Sequence, residues 1–339
     1  MTSMSARYVG TTSTRNNMAI EVYQIDDFLD VDLPEVPSLL GDNLIVPEGR
    51  VIIYGRPGTF KSFATLHLCY ALAGNKEWLG HEVKENVPVL YLQAEVVPKM
   101  MQERAGKVRD TFGRNPDMHT AYIRDFTLRG QQAFQEVVDV ANEVGAGFIF
   151  FDPMVNIMAG SELNDEAMKD FFKDLDRITV ATGAGIGLVH HSRKETFNRD
   201  GSQNNAGAGD LRGHSSIEGW ADLIIRLRRN LAMSGGLEMH WEKVRYGTTP
   251  HDQWLRFDDK SGILKVSESD PRTLILELLK NGPQPIGVVD AMLVKSAGLG
   301  KRKAGDTRQA LAQKNVVRHY QDPVNKTRRM IELQEGLLV

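Results

Sequence analysis

Five apolar segments, three of them followed by a stretch with helical spacing, constrain the fold of this 339-residue chain more than any other feature. Segments that are apolar at every position predict strands buried on both faces, and such strands occur in parallel sheets covered by helices. We therefore predict an α/β fold with a mostly parallel, doubly wound sheet. The segments are VIIYG (51–55), VPVLYLQAE (87–95), GFIFFD (147–152), GIGLVHH (185–191) and ADLIIRL (221–227).

The pattern changes in the last third of the chain. Beyond Arg228, the short alternating segments GLEMHWEKVRYG, DQWLRF and GILKV predict antiparallel strands at an edge of the sheet. From Pro271, three helical segments and a strand-like RRMIEL predict a winged helix, a variant of the helix-turn-helix. The predicted organisation is a flexible, polar lead-in at 1–40, a core at 41–267 and a winged-helix-like domain at 268–339.

Composition excludes several classes of protein. The fractions of apolar residues, 41%, and charged residues, 25%, are typical of a globular chain, and the net charge of −3 argues against a general coat for nucleic acid. The single cysteine, Cys69, cannot form an internal disulfide. No apolar run approaches the roughly 20 residues that span a bilayer. The N-terminus lacks the apolar core of a secretory signal, so we expect a cytoplasmic protein without membrane contact.

A glycine-rich loop between the first strand and the first helix predicts a phosphate site. The sequence from Gly55 to Ser62, GRPGTFKS, fits the frame G-x-x-x-x-G-K-[ST], with Phe60 in place of the second glycine. The phenyl group at that position must point away from the phosphates. Lys61 is expected to reach the β- and γ-phosphates of ATP, and the Ser62 hydroxyl to bind Mg²⁺. The expected nucleotide contacts are Gly55, Arg56, Pro57, Gly58, Thr59, Phe60, Lys61, Ser62, Phe63 and Asp152. The alternative is an ordinary glycine-rich turn with a solvated lysine.

Two acidic residues complete the predicted ATP site. Asp152 ends an apolar strand, where its carboxylate is placed to hold Mg²⁺ together with Ser62. The next residue is Pro153, not a glutamate, so the base that activates water must come from elsewhere. We predict that Glu95, at the end of VLYLQAE, is this base. An exposed glutamate without a role is the alternative.

Two adjacent histidines end the strand-like segment GIGLVHH. Ligands bind at the carboxyl edge of a parallel sheet, so one histidine is expected to contact the γ-phosphate. Side chains alternate along a strand, and only one of His190 and His191 can face the site. We favour His191.

Taken in order, GRPGTFKS, VLYLQAE, FIFFDP, LVHHSRK and WEKVRYG resemble the motifs of RecA-fold hexameric helicases of the RepA type, relatives of the DnaB-class replicative helicases. This resemblance covers residues 40–260 and implies a RecA-like P-loop ATPase core. It also implies that Glu95 is the catalytic glutamate and that the His190–His191 pair is the sensor. Lys243 and Arg245 would be the basic pair supplied to a neighbouring subunit's nucleotide. A sheet edge that carries two solvated cations is the alternative for that pair.

The resemblance also implies contact with single-stranded DNA. The long loop from Ser192 to Gly213 corresponds to one that faces the central channel of a hexamer. Its cationic residues are expected to bind DNA phosphates; they are Arg193, Lys194, Arg199 and Arg212. A polar insertion without a partner is the alternative.

We therefore predict an ATP-dependent helicase or translocase that acts on single-stranded DNA in replication as a homo-hexamer. The C-terminal domain is expected to bind duplex DNA through Lys301, Arg302 and Lys303, or to bind a partner protein. Two alternatives stay open: a RecA-like recombination ATPase that forms filaments, and a regulator whose DNA binding is switched by ATP. The motifs do not distinguish a ring from a filament.

Overall fold

The computed structural model describes residues 23–123, 125–162, 164–192, 214–229, 236–268, 270–297 and 299–334. Contacts divide the chain between Val36 and Pro37 into two units. In the described part of the first unit, one short helix, α1, spans Ile25–Leu29. The side chain of Gln24 accepts two backbone N–H groups at the start of this helix. Both sheets of the described residues belong to the second unit.

Nine strands of the described residues form one large sheet. They are β1 (Arg50–Gly55), β2 (Val89–Gln93), β3 (Met118–Tyr122), β4 (Phe148–Asp152), β5 (Gly185–His191), β6 (Leu223–Arg229), β7 (Gly236–Val244), β8 (Gln253–Asp258) and β9 (Ile263–Val266). Their order is β3-β2-β4-β5-β1-β6-β7-β8-β9. The first six strands in this order pair in parallel, and β7, β8 and β9 are antiparallel strands at one edge.

Helices cover both faces of this sheet because its central strands are apolar on both sides. They are α2 (Lys61–Gly74), α3 (Pro98–Phe112), α4 (Gly130–Glu143), α5 (Asp165–Thr182) and α6 (His214–Trp220). Val51, Ile53 and Phe150 pack with α2 and α3 on what we call the α2 face. Ile52 and Phe151 pack with α4, α5 and α6 on the α5 face. The predicted α/β architecture, a mostly parallel sheet with antiparallel edge strands, is confirmed.

The C-terminal residues form three helices and a small sheet. Their elements are α7 (Pro271–Lys280), β10 (Gln284–Pro285), α8 (Ile286–Ser296), α9 (Lys301–Gln313), β11 (Val317–Gln321) and β12 (Arg329–Leu333). The sheet order is β10-β12-β11 with antiparallel pairing, which is the expected winged-helix-like arrangement. Trp254 of β8 packs into the apolar core of this region.

Strand β3 and helix α4 are among the elements of the large unit that were not predicted from the sequence. Strand β3 is half-buried except at the exposed Thr120 and mixes polar with apolar residues, so it lacks the apolar run that marks its neighbours. Helix α4 is amphipathic and buries Phe134, Val137, Val138 and Ala141 against the α5 face. Among the described helices, none is long and apolar enough to cross a membrane.

Candidate nucleotide-binding site

The predicted phosphate loop joins β1 to α2 at the carboxyl edge of the parallel strands. Gly55 is required there because a Cβ atom would lie 2.2 Å from the carbonyl oxygen of Leu227 on the neighbouring strand. Gly58 has a φ of +78°, a conformation that glycine adopts without strain. The Thr59 hydroxyl donates to the Arg56 carbonyl at 2.8 Å, which closes the turn. Arg56, Pro57 and Gly58 are exposed at the tip.

Phe60 occupies the position of the missing glycine and has the backbone conformation of one. Its φ of 57° and ψ of 26° lie in the left-handed region. The ring stacks on Phe257 of β8, with centroids 4.2 Å apart and planes at 17°. Phe63 contacts the same ring at 4.7 Å. The aromatic contact thus holds the Phe60 side chain against the antiparallel edge of the sheet and offsets part of the cost of the left-handed backbone.

Lys61 is the first residue of α2 and is 5% exposed. Its ammonium group donates to the carbonyl of Arg56, within the loop, at 2.9 Å. Burial lowers the pKa of Lys61 to about 8, although Asp152 and Glu95 act in the opposite direction. A buried ammonium near the tip of a glycine-rich loop is suited to bind a polyphosphate, whose charge would restore the ordinary pKa.

Asp152 ends β4 and is 1% exposed. Burial raises the pKa of its carboxyl group, while hydrogen bonds from Tyr91 and Ser62 act to lower it. The Tyr91 hydroxyl donates to Oδ2 of Asp152. Ser62 and Asp152 therefore lie together, and a hydroxyl and a carboxylate are ligand types that Mg²⁺ accepts. No group of three or more His, Cys, Asp or Glu side chains arranged for a metal was found in the described residues. These two residues fit an ion that is also held by substrate phosphates.

Gln93, which the sequence analysis missed, places Glu95 beside this pair. Gln93 is fully buried at the end of β2, in register with Asp152. Its Oε1 accepts the backbone N–H groups of Glu95 at 2.7 Å and Val96 at 3.2 Å, which fixes the turn after the strand. Glu95 is exposed and close enough for its charge to act on Lys61 and Asp152. The signal for Gln93 was a polar side chain in an otherwise apolar strand.

The two histidines lie on opposite faces of β5. Gly187, Val189 and His191 share one face, and a Cβ atom on Gly187 would meet the Phe150 ring on the α2 face. His191, which is half-buried and in register with Gly55, is therefore on the α2 face with Lys61. His190 is fully buried on the α5 face, with Nδ1 3.4 Å from Oε1 of Glu162.

Lys243 and Arg245 are at the other end of the strands. Val244 pairs with Leu223, the first residue of β6, whereas the phosphate loop follows Gly55, which pairs with Leu227. Four residues of strand separate these positions, or about 13 Å. The structure therefore does not bring the two cations to Lys61 of the same chain.

Both cations have partners at this end of the strands, which we call the amino edge. The Lys243 ammonium donates to the carbonyls of Glu218 at 2.5 Å and Ala221 at 2.6 Å. Arg245 pairs with Asp222 at 3.0 Å and donates to the Gly219 carbonyl at 3.3 Å, with 38% of its side chain exposed.

Arg229 is a further cation at the loop that the sequence analysis did not identify. It ends β6, and its Nη2 and Nε lie 3.3 Å and 3.4 Å from the carbonyl oxygen of Gly58. This contact depends on the pairing of β6 with β1 and has no local sequence signal. The predicted DNA-binding residues Arg193, Lys194, Arg199 and Arg212 lie outside the described residues.

A comparison with protein families agrees with this site. The family model AAA_25, described as an AAA domain, matches residues 17–196, more than half of the chain. No curated protein matches. Two solved structures are distantly similar. One, described as an ATPase domain, is 14% identical over 65% of this chain and 85% of that one, with a TM-score of 0.47. The KaiC-like protein PH0186 from Pyrococcus horikoshii OT3 is 12% identical over 69% of this chain and 99% of that one, with a TM-score of 0.49. The chain, with its phosphate loop inside the matched segment, belongs to the AAA_25 family of AAA domains.

Proposed function

We propose that this chain is an ATP-hydrolysing motor that moves along single-stranded DNA as a homo-hexamer, as a helicase or translocase of the RepA type. One observation carries the ATPase part of the proposal. Lys61, Ser62 and Asp152 converge at the carboxyl edge of the sheet, with Glu95 beside them. Family membership and the order of the motifs support the motor part.

Each residue of the site has a distinct task in hydrolysis. The backbone N–H groups of the loop and the start of α2 bind the phosphates, and Lys61 exchanges the Arg56 carbonyl for a phosphate oxygen. Ser62 and Asp152 would hold Mg²⁺, whose charge would offset the charge that develops on the phosphate oxygens. Glu95 accepts a proton from the attacking water. His191 contacts the γ-phosphate from the neighbouring strand β5.

Lys243 and Arg245 act on the nucleotide of a neighbouring subunit. Their position at the amino edge prevents them from reaching their own phosphate loop, whereas Arg245 is exposed enough to be presented to another copy. Cations delivered in trans stabilise charge on the transferred phosphoryl group and make hydrolysis depend on assembly. Arg193, Lys194, Arg199 and Arg212 bind DNA phosphates in this proposal.

We also propose that residues 268–339 are a separate domain that contacts duplex DNA through α9. Lys301 and Arg302 are exposed at the start of this helix, the third helix of the winged-helix-like arrangement. Lys303 has a different task, because its ammonium group lies 3.1 Å from Glu238 of β7.

The test of the proposed function is ATP hydrolysis by the full chain with Mg²⁺, with and without single-stranded DNA. We expect single-stranded DNA to stimulate turnover and Arg193→Ala with Lys194→Ala to reduce that stimulation. ATP binding without turnover, coupled to a change in DNA affinity, would favour the regulator instead. DNA-dependent filaments in electron micrographs would favour the recombination ATPase.

A further inference from the structure

A second polar cavity lies away from the nucleotide site, between the β7–β8 connection and the C-terminal helices. Its volume is about 300 Å³, at the lower end of the range for small-molecule sites. Its lining shares no residue with the nucleotide site. The charged and titratable groups in the lining are Glu238, His240, His251, Asp252, Asp270, Arg272, Lys303 and Lys314.

The acidic groups of this cavity are all engaged. Glu238 lies 3.1 Å from Lys303 and 3.4 Å from Nε2 of His240. Asp252 lies 2.7 Å from Nδ1 of the same imidazole. The two carboxylate oxygens of Asp270 accept backbone N–H groups from Thr273 at 2.9 Å and Trp254 at 2.8 Å. These carboxylates therefore already have partners other than Arg272 and Lys314.

Arg272 is compensated less directly. Within the described part of the chain its guanidinium makes no hydrogen bond or ion pair and its Nε is buried, and the carboxylate of Asp270 acts on it through charge alone. Arg272 is also the second residue of α7, where the positive end of the helix dipole disfavours a cation. A cation removed from water without a partner costs free energy, and a bound anion would remove that cost.

Two more basic groups line the same cavity as Arg272. The Lys314 ammonium donates to the carbonyls of Thr249 at 2.9 Å and Pro250 at 3.2 Å. Burial, together with the nearby charges of Arg272 and Lys314, lowers the pKa of His251 to about 4, while the charge of Asp252 acts in the opposite direction. The cavity wall thus presents three basic side chains to one enclosed volume. At neutral pH, the uncharged His251 can still donate an N–H group to an anion.

We propose that this cavity binds a phosphoryl group, held by Arg272 and Lys314, as inorganic phosphate or as the phosphate of a small molecule. Arginine matches phosphate because its planar fork donates two parallel hydrogen bonds. The bound group joins α7 and α9 to residues 249–252. These residues follow Arg245 by four to seven positions, so occupancy links the C-terminal helices to the hairpin that carries the proposed trans cations.

Thermal unfolding tests this site in a Lys61→Ala background, which disables the phosphate loop. In phosphate-free buffer we expect Arg272→Met to unfold at the same temperature as its parent or a higher one, because an uncompensated cation is removed. Added phosphate should raise the Tm of the parent and not that of Arg272→Met. The matched control is Arg109→Met on α3, where 52% of the arginine side chain is exposed. It should follow the parent at every phosphate concentration.

Two further arms complete the test. Equilibrium dialysis with labelled phosphate should show weaker binding to Lys314→Gln than to the parent, a readout that does not depend on the folding of Arg272→Met. Titration with AMP separates the two sources, since a nucleoside monophosphate should bind more tightly than phosphate only if it is the natural ligand. Equal phosphate responses in the parent and Arg272→Met would overturn the proposal, as would no response in the parent. Failure of the motor proposal would leave these outcomes unaffected.

Discussion

The two ends of the strands in the central sheet differ in how their charged groups are compensated. At the carboxyl edge, Lys61 and Asp152 are buried, and the pKa of each is displaced toward the neutral form. At the amino edge, Arg245 keeps an ion pair with Asp222, and Lys243 donates to two carbonyls, although burial lowers the pKa of Lys243 as well. In the proposed function, an anionic ligand and a metal ion would complete the carboxyl edge. The amino edge is satisfied within its own chain and must exchange partners to act elsewhere.

The largest expected effect concerns Arg245 at the amino edge. If Arg245 acts in trans, Arg245→Ala should lower kcat for ATP hydrolysis by about 10³-fold, in the range that arginine fingers contribute. Nucleotide binding by the isolated subunit should persist. Arg256→Ala is the control, since Arg256 is an exposed arginine on the antiparallel strand β8, at the opposite end of these strands from Arg245. Full activity of Arg245→Ala would show that Arg245 serves only as the ion-pair partner of Asp222 within its own chain.

The second expected effect concerns the carboxyl edge. Glu95→Gln should lower kcat by about 10²–10⁴-fold, because it removes the proposed base without changing its size. ATP affinity, measured by fluorescence titration, should change little. Glu103→Gln, on the outer surface of α3, is the matched control and should hydrolyse ATP normally. Normal turnover by Glu95→Gln would exclude Glu95 as the base.

A pH dependence of stability should report the burial of Lys61 at the carboxyl edge. The pKa of Lys61 in the folded chain is about 8, below its ordinary value of 10.5. The unfolded state therefore binds more protons between these values, and the stability of the empty protein rises with pH across that window. The gain is about 3 kcal/mol at most, and it should vanish in Lys61→Met. Urea unfolding from pH 7 to 10.5 measures it. If the free energy of unfolding depended on pH in the same way in the parent and in Lys61→Met, burial would not displace the pKa of Lys61.

The smallest expected effect concerns the backbone of the phosphate loop. Phe60→Gly relieves a left-handed φ but loses the stack on Phe257, and we expect a net loss of about 1 kcal/mol in the free energy of unfolding. Phe60→Ala loses the ring and keeps the strain, so it should lie about 1 kcal/mol below the glycine variant. Denaturant titration of the three proteins gives the order. An alanine variant as stable as the glycine variant would show that the backbone is not strained at this position.

Sequence patterns predicted the features whose residues lie close together in the chain. The strand, loop and helix around Lys61 could be read directly, because an apolar run, two glycines and a helical spacing lie within 24 residues. Asp152 was found for the same reason, since it ends an apolar strand. The antiparallel strands at one edge of the sheet followed from the change of pattern at Arg228.

Contacts that depend on strand register could not be predicted in this way. Gln93 lies beside Asp152 only because β2 pairs with β4, and Arg229 reaches Gly58 only because β6 pairs with β1. Neither pairing has a signature in the residues themselves. The sequence likewise does not distinguish the basic residues at the start of α9. In the structure, Lys303 pairs with Glu238 of β7, whereas Arg302 is exposed and has no contact with Glu238.

The most direct test of the account mixes two inactive variants, Lys61→Ala and Arg245→Ala, and measures ATP hydrolysis. An interface between an intact phosphate loop of one subunit and an intact Arg245 of its neighbour should be active. Random mixing in equal amounts creates such interfaces at about a quarter of positions, and we predict that share of wild-type activity. A mixture as inactive as either variant alone would contradict the claim that the two edges of the sheet meet in one active site between subunits.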